Sequence, residues 1–176
     1  GPTPYSPPGT VTAAGASFFN VKINGQGNTI ADVIPGQELD VSLDYEITGV
    51  SCGDGGCPTC LTQYHVGMVS GGSCGTQDGG AGCFYSGSSG CASPISSTGT
   101  TTLTAPTEPG TWYLRTTYTW HFTCEEGLGW YKTPPEDHTV AAFCVLPGEP
   151  IPPENVCGNG IVEMNETCDE GEETDT

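Results

Sequence analysis

The sequence predicts an all-β fold: a disulfide-braced two-sheet β-sandwich with a small loop-rich appendage at the C-terminus of its 176 residues. Three observations carry this. Helix-building residues are scarce, while 27 Gly and 15 Pro favour short strands joined by turns. One segment, PGQELDVSLDYEITG, alternates apolar and polar residues five times in succession. The 10 cysteines, an even number in a chain of this size, point to covalent cross-linking in an oxidising compartment.

The elements follow in order. GPTPYSPPG opens an extended proline-rich leader over residues 1–10. The predicted sandwich occupies residues 11–146, beginning with the strand SFFNVKI (Ser17 to Ile23), which ends at the turn Asn24-Gly25. In the alternating segment Leu39, Val41, Leu43, Tyr45 and Ile47 take one face, with Asp40, Ser42, Asp44 and Glu46 on the other. TQYHVGMV (Thr62 to Val69) is a third strand, followed by a Gly- and Cys-rich excursion and then TTTLTAP. In TWYLRTTYTWHF, Trp112, Leu114, Tyr118, Trp120 and Phe122 share a face, and DHTVAAFCVL closes the body. Six or seven strands with turns between them read as a sandwich. A proline-rich linker covers residues 147–155, and a cysteine-rich acidic segment covers 156–176.

The stretch TLTAPTEPGTWYLR resembles the penultimate hairpin of immunoglobulin-like domains in bacterial surface proteins, where an AP…GTY turn introduces the long central strand. The resemblance spans about 15 residues and implies an immunoglobulin-like sandwich without implying a function. In such a sandwich the third and sixth strands are antiparallel neighbours, which sets Leu61 near Thr123. Cys124 is then expected to bond into the cluster Cys52, Cys57 and Cys60, and Cys144 to reach Cys74 or Cys83. Cys91 completes the group of six flanking the third strand. The spacing SCGDGGCPTC would also suit tetrahedral zinc, but no second C-x2-C accompanies it, and disulfides are favoured.

The string VCGNGIVEMNETCD resembles the cysteine-rich repeat of myxobacterial-type surface proteins and the calcium loop of disintegrin domains. Calcium takes six to eight oxygens, mixing carboxylates with carbonyls. The side chains of Asn159, Glu163, Glu166 and Asp169 offer such oxygens; the resemblance implies that the main-chain carbonyls of Val156 and Ile161 join them. Cys157 and Cys168 could bond each other and clamp the loop. The repeat commonly continues into DG-C…C where this sequence stops at Thr176, so the segment is expected to be a truncated repeat.

Lys22, Arg115 and Lys132 are the only firm cations against 21 acids, a formal net charge of −18. Such a chain has no means of neutralising phosphates, which excludes nucleic acid and anionic membrane surfaces as partners. No apolar run approaches the length of a membrane-spanning helix. His65, His121 and His138 are the candidate acid–base groups, but no nucleophile elbow, H-E-x-x-H or phosphate-cradling loop accompanies them. His65 and His121 fall on the faces alternate to the core and read as surface residues of a sheet. No enzyme is predicted.

The expected role is an extracellular or cell-surface structural or adhesion module, a self-associating subunit using SFFNVKI as an exposed edge strand. Calcium is the expected cofactor, and copies of itself or other surface proteins are the expected partners. The alternative is a carbohydrate-binding module. Trp112 reads as core, whereas Trp120, Trp130 and Tyr131 near the end of the long strand would contact a polysaccharide.

Overall fold

A computed structural model describes residues 6–48, 61–71, 80–87, 94–129 and 134–148. It holds the strands β1 (Thr10–Ala13), β2 (Ala16–Ile23), β3 (Thr29–Val33), β4 (Glu38–Ile47), β5 (Leu61–Ser70), β6 (Ala81–Gly87), β7 (Ile95–Thr104), β8 (Gly110–His121) and β9 (Thr139–Val145). A short helix α1 (Cys124–Gly129) and a 3-10 turn (Glu136–His138) separate β8 from β9. The strands form a four-stranded sheet of order β1-β2-β4-β7 and a five-stranded sheet of order β3-β9-β8-β5-β6.

The predicted all-β, disulfide-braced sandwich is the observed fold, and the expected C-terminal appendage lies outside the described residues. Pairing β4 with β7 in one sheet, and β9, β8 and β5 in the other, gives an immunoglobulin-like sandwich. The expected neighbours, TQYHVGMV in β5 and TWYLRTTYTWHF in β8, are indeed antiparallel, with Leu61 opposite His121. The AP…GTW segment differs from the expected hairpin. β7 and β8 lie in different sheets, so Ala105 to Pro109 form an arch across the sandwich. Ala105 N–H donates to Gln37 O at 2.7 Å and the Trp112 indole N–H to Glu108 O at 3.1 Å, which fixes both feet of the arch.

The core lies between the sheets. All five alternating residues of β4 are buried there, Leu39 and Ile47 completely. Trp112, Tyr64, Phe18 and Phe143 are the largest buried side chains. Phe18 meets the rings of Tyr64 and Phe84 edge-on at 5.4 and 5.7 Å, an arrangement that adds to what area burial alone contributes. The Tyr64 hydroxyl donates to Ala14 O at 2.7 Å, which satisfies its polar end. That carbonyl belongs to the β1–β2 turn, where Ala14 and Gly15 both adopt positive φ (52° and 76°), as a two-residue hairpin with strand-compatible twist requires.

Three strands were not foreseen. β1 converts part of SFFNVKI from an edge into an interior strand, because Thr10 to Ala13 pair with Ala16 to Phe19. β3 runs parallel to β9 and closes the far side of the larger sheet. β6 arises within the Gly- and Cys-rich excursion, where Gly82 fits because a Cβ there would collide with Thr101 Oγ1 on the facing strand.

Candidate functional site

Among the described residues four strands form the sheet edges: β1, β7, β3 and β6. Three carry the usual guards against accidental pairing, being short or bulged. β1 has 4 residues and β3 has 5, with a register shift between Ile30 and Val33. The β5–β6 ladder shifts between Tyr64 and His65. β7 has none of these guards. It matches β4 through ten consecutive pairs, from Glu38↔Thr104 to Ile47↔Ile95, without a shift. Its sequence ISSTGTTTLT contains no proline and no charge. Ten residues at about 3.4 Å each make an edge of roughly 34 Å.

The solvent face of this sheet is built from hydroxyls and carboxylates. Thr98 Oγ1 donates to Asp44 at 2.6 Å, Asn20 Nδ2 to the same carboxylate at 2.7 Å, and Thr102 Oγ1 to Asp40 at 3.1 Å. The hydroxyl of Thr98 and then the amide of Asn20 hold the Asp44 carboxyl below its ordinary range, since both stabilise the anion. Gly25, Asp40, Val41, Ser42 and Thr100 to Thr102 line a shallow groove of about 360 Å³ on this face. On the inner side of β7, Gly99 lets β6 approach closely: a Cβ there would lie 2.8 Å from Phe84 O.

The outer face of the five-stranded sheet differs from expectation. His65 is fully buried rather than a surface residue, together with Gln63, and Thr119 is 8% exposed. The cover is α1. Its Gly127 sits directly on this cluster, where a Cβ would run into Gln63 Oε1 and lie 2.7 Å from Thr119 Oγ1. Below it, His65 Nε2 and Thr119 Oγ1 are 2.7 Å apart, and Gln63 Nε2 donates to His121 O at 3.0 Å. Burial pushes the His65 imidazole down to about 4, so it is neutral near pH 7. Thr123 caps the helix by accepting from Glu126 N–H at 3.2 Å, and His121 Nδ1 lies 3.0 Å from Glu126 Oε2.

The disulfide Cys83–Cys124 ties α1 to β6. This corrects the expected bonding of Cys124 to Cys52, Cys57 or Cys60. The bulge in β6 sets Cys83 opposite His65, on the face that α1 covers, and so within reach of the helix's first residue. It also removes Cys83 as a partner for Cys144, whose Sγ lies 3.7 Å from Thr111 Oγ1. Cys52, Cys57, Cys60, Cys74, Cys91, Cys157 and Cys168 lie outside the described residues.

Of the proposed sugar contacts, Trp120 is 36% exposed at the end of β8, and its neighbour Phe122, at 52%, extends the apolar surface. Trp130 and Tyr131 lie outside the described residues, as do all six proposed calcium ligands, Val156, Asn159, Ile161, Glu163, Glu166 and Asp169. Among the described residues no group of three or more His, Cys, Asp or Glu side chains is placed to hold a metal, and no helix is long and apolar enough to cross a membrane. Comparison with family models, curated proteins and solved structures found no match to this chain.

Proposed function

We propose that the protein is a non-enzymatic extracellular structural or adhesion module that joins a larger assembly by strand addition. One observation carries the reading: β7 offers an unguarded edge of ten residues in unbroken register, whereas the other described edges are short or bulged. Main-chain N–H and C=O groups along such an edge are the recognition chemistry for another strand. The earlier candidate, SFFNVKI, is replaced in this role because β1 already pairs with its first half. The disulfide Cys83–Cys124 supports an oxidising, extracellular setting.

Calcium remains part of the proposal as a stiffener of the tail through Asn159, Glu163, Glu166 and Asp169. Isothermal titration with Ca²⁺ tests it, and heat absent at millimolar calcium counts against it. The assembly reading is tested by sedimentation of residues 1–176 across a concentration series, with negative-stain imaging of the same samples. Growth in mass with concentration is expected. A monomer throughout, with and without calcium, refutes it.

The exposure of Trp120 and Phe122 supports a second reading, a carbohydrate-binding module that stacks sugar rings on this apolar surface. Retardation on a polysaccharide column, abolished by Trp120→Ala, would favour it over assembly.

A further inference from the structure

We infer that the strand added to β7 is β7 of a second copy, antiparallel and related by a two-fold axis through Gly99, so that two four-stranded sheets become one of eight strands. This rests on the self-association reading above and names its contact.

The first argument is charge. A chain of formal charge −18 repels its own copies over most of its surface. Along β7 the outward row is Ser96, Thr98, Thr100, Thr102 and Thr104, five hydroxyls without a charge. The acids sit one strand further in, on β4, and Asp40 and Asp44 accept hydrogen bonds from Thr102 and Thr98. With β7 and its copy between them, the two β4 strands stand three strand spacings apart, roughly 14 Å at about 4.8 Å each. The carboxylates lean in toward the hydroxyls of β7 and so stand closer than the strands that carry them, but a screening length of about 8 Å at physiological salt weakens their repulsion across the seam. A neutral seam is what like-charged copies need. A basic partner would be better received by a row of acids, so the seam favours self over a cationic protein.

The second argument is register. A two-fold axis at Gly99 sets Ile95 opposite Leu103 and Ser97 opposite Thr101 on the inner side. On the outer side it sets Ser96 opposite Thr102 and Thr98 opposite Thr100. Both apolar residues of the strand thus find apolar partners, and half-buried Ile95 gains cover. The hydroxyls pair with hydroxyls, a favourable cross-strand combination. A slip of one residue would set inner residues against outer ones, and a slip of two would part Ile95 from Leu103. The axis stands normal to the sheet, so the hydroxyl face stays on one side and β6 on the other in both copies.

Opposite charges placed at Thr100 test the seam. Thr100 is exposed, and in this register the two copies of position 100 are diagonal neighbours about 7–8 Å apart, within reach of long side chains. Sedimentation velocity of residues 1–176 is run on the wild type, Thr100→Lys, Thr100→Glu and an equal mixture of the two variants. Circular dichroism and melting confirm that each is folded, and Ser96→Lys serves as a second seam variant. The expected result is a dimerising wild type, at least tenfold weaker association for each variant alone, and recovery in the mixture. Variants that associate like the wild type, or a mixture that fails to recover, overturn the seam while self-association elsewhere on the molecule stands. A wild type monomeric at every concentration overturns both.

Discussion

His65 Nε2 lies 2.7 Å from Thr119 Oγ1, across the β5–β8 pair, on the side of the sheet that strand alternation turns away from the core. The outer face of an antiparallel sheet is ordinarily solvated. Here α1 roofs it and buries an imidazole, a carboxamide and a hydroxyl together, so these groups depend on one another rather than on water.

The buried imidazole makes stability depend on pH. Burial lowers His65 from 6.5 to about 4, so between those values the unfolded chain binds a proton that the folded protein refuses. Its contribution is complete above about pH 6.5 and is lost progressively as pH falls toward 4. The full loss should be on the order of 3 kcal/mol. Urea unfolding at pH 7, 5.5 and 4.5 measures it, and His65→Gln should flatten the trend. Asp44, whose carboxyl is held below 3.8 by Thr98 and Asn20, acts only at more acid pH and leaves this window clear.

Gly127 is predicted to tolerate no side chain. A Cβ would collide with Gln63 Oε1 and come within 3.1 Å of His65 Nε2, none of which is free to swing into solvent. Gly127→Ala should cost about 1–3 kcal/mol through overpacking, read as a lower melting temperature. Gly129→Ala, where nothing lies within 4 Å of the added atom, is the control and should be close to neutral.

The Cys83–Cys124 disulfide spans 41 residues, and closing a loop of that length in the unfolded chain corresponds to about 4 kcal/mol of stabilisation. The paired variant Cys83→Ser, Cys124→Ser should lower stability by about 2–4 kcal/mol. Hydrogen exchange should also quicken at Gln63, His65 and Thr119, because the roof is no longer tethered. Unchanged protection there would mean that helix packing alone holds α1 down.

The legible parts of the fold were those in which local pattern and tertiary role coincide. β4 shows its burial in its alternation, and its five apolar residues are all core. β8 placed Trp112 in the core by the same rule. What escaped is set by distant partners. β1 and β3 have 4 and 5 residues, too few for a periodic signal, and exist because β2 and β9 pair with them. β6 hides among glycines, and the value of Gly82 lies in how closely Thr101 of the facing strand approaches it. His65 looked solvent-facing because the residue that covers it, Gly127, comes 62 positions later in a helix of only 6 residues. The pairing of Cys124 was missed for the same reason: the strand that carries its partner was not foreseen. The unguarded edge of β7 was not legible either, since its standing as an edge follows from sheet order rather than from its own residues.

Hydrogen exchange along β7 as a function of protein concentration tests the account at its centre. If copies join at this edge, the alternate amides between Ser96 and Thr104 that point away from β4 gain protection as concentration rises, while those at the β1 and β3 edges stay unchanged. Exchange along β7 that is the same from micromolar to millimolar protein would contradict the account.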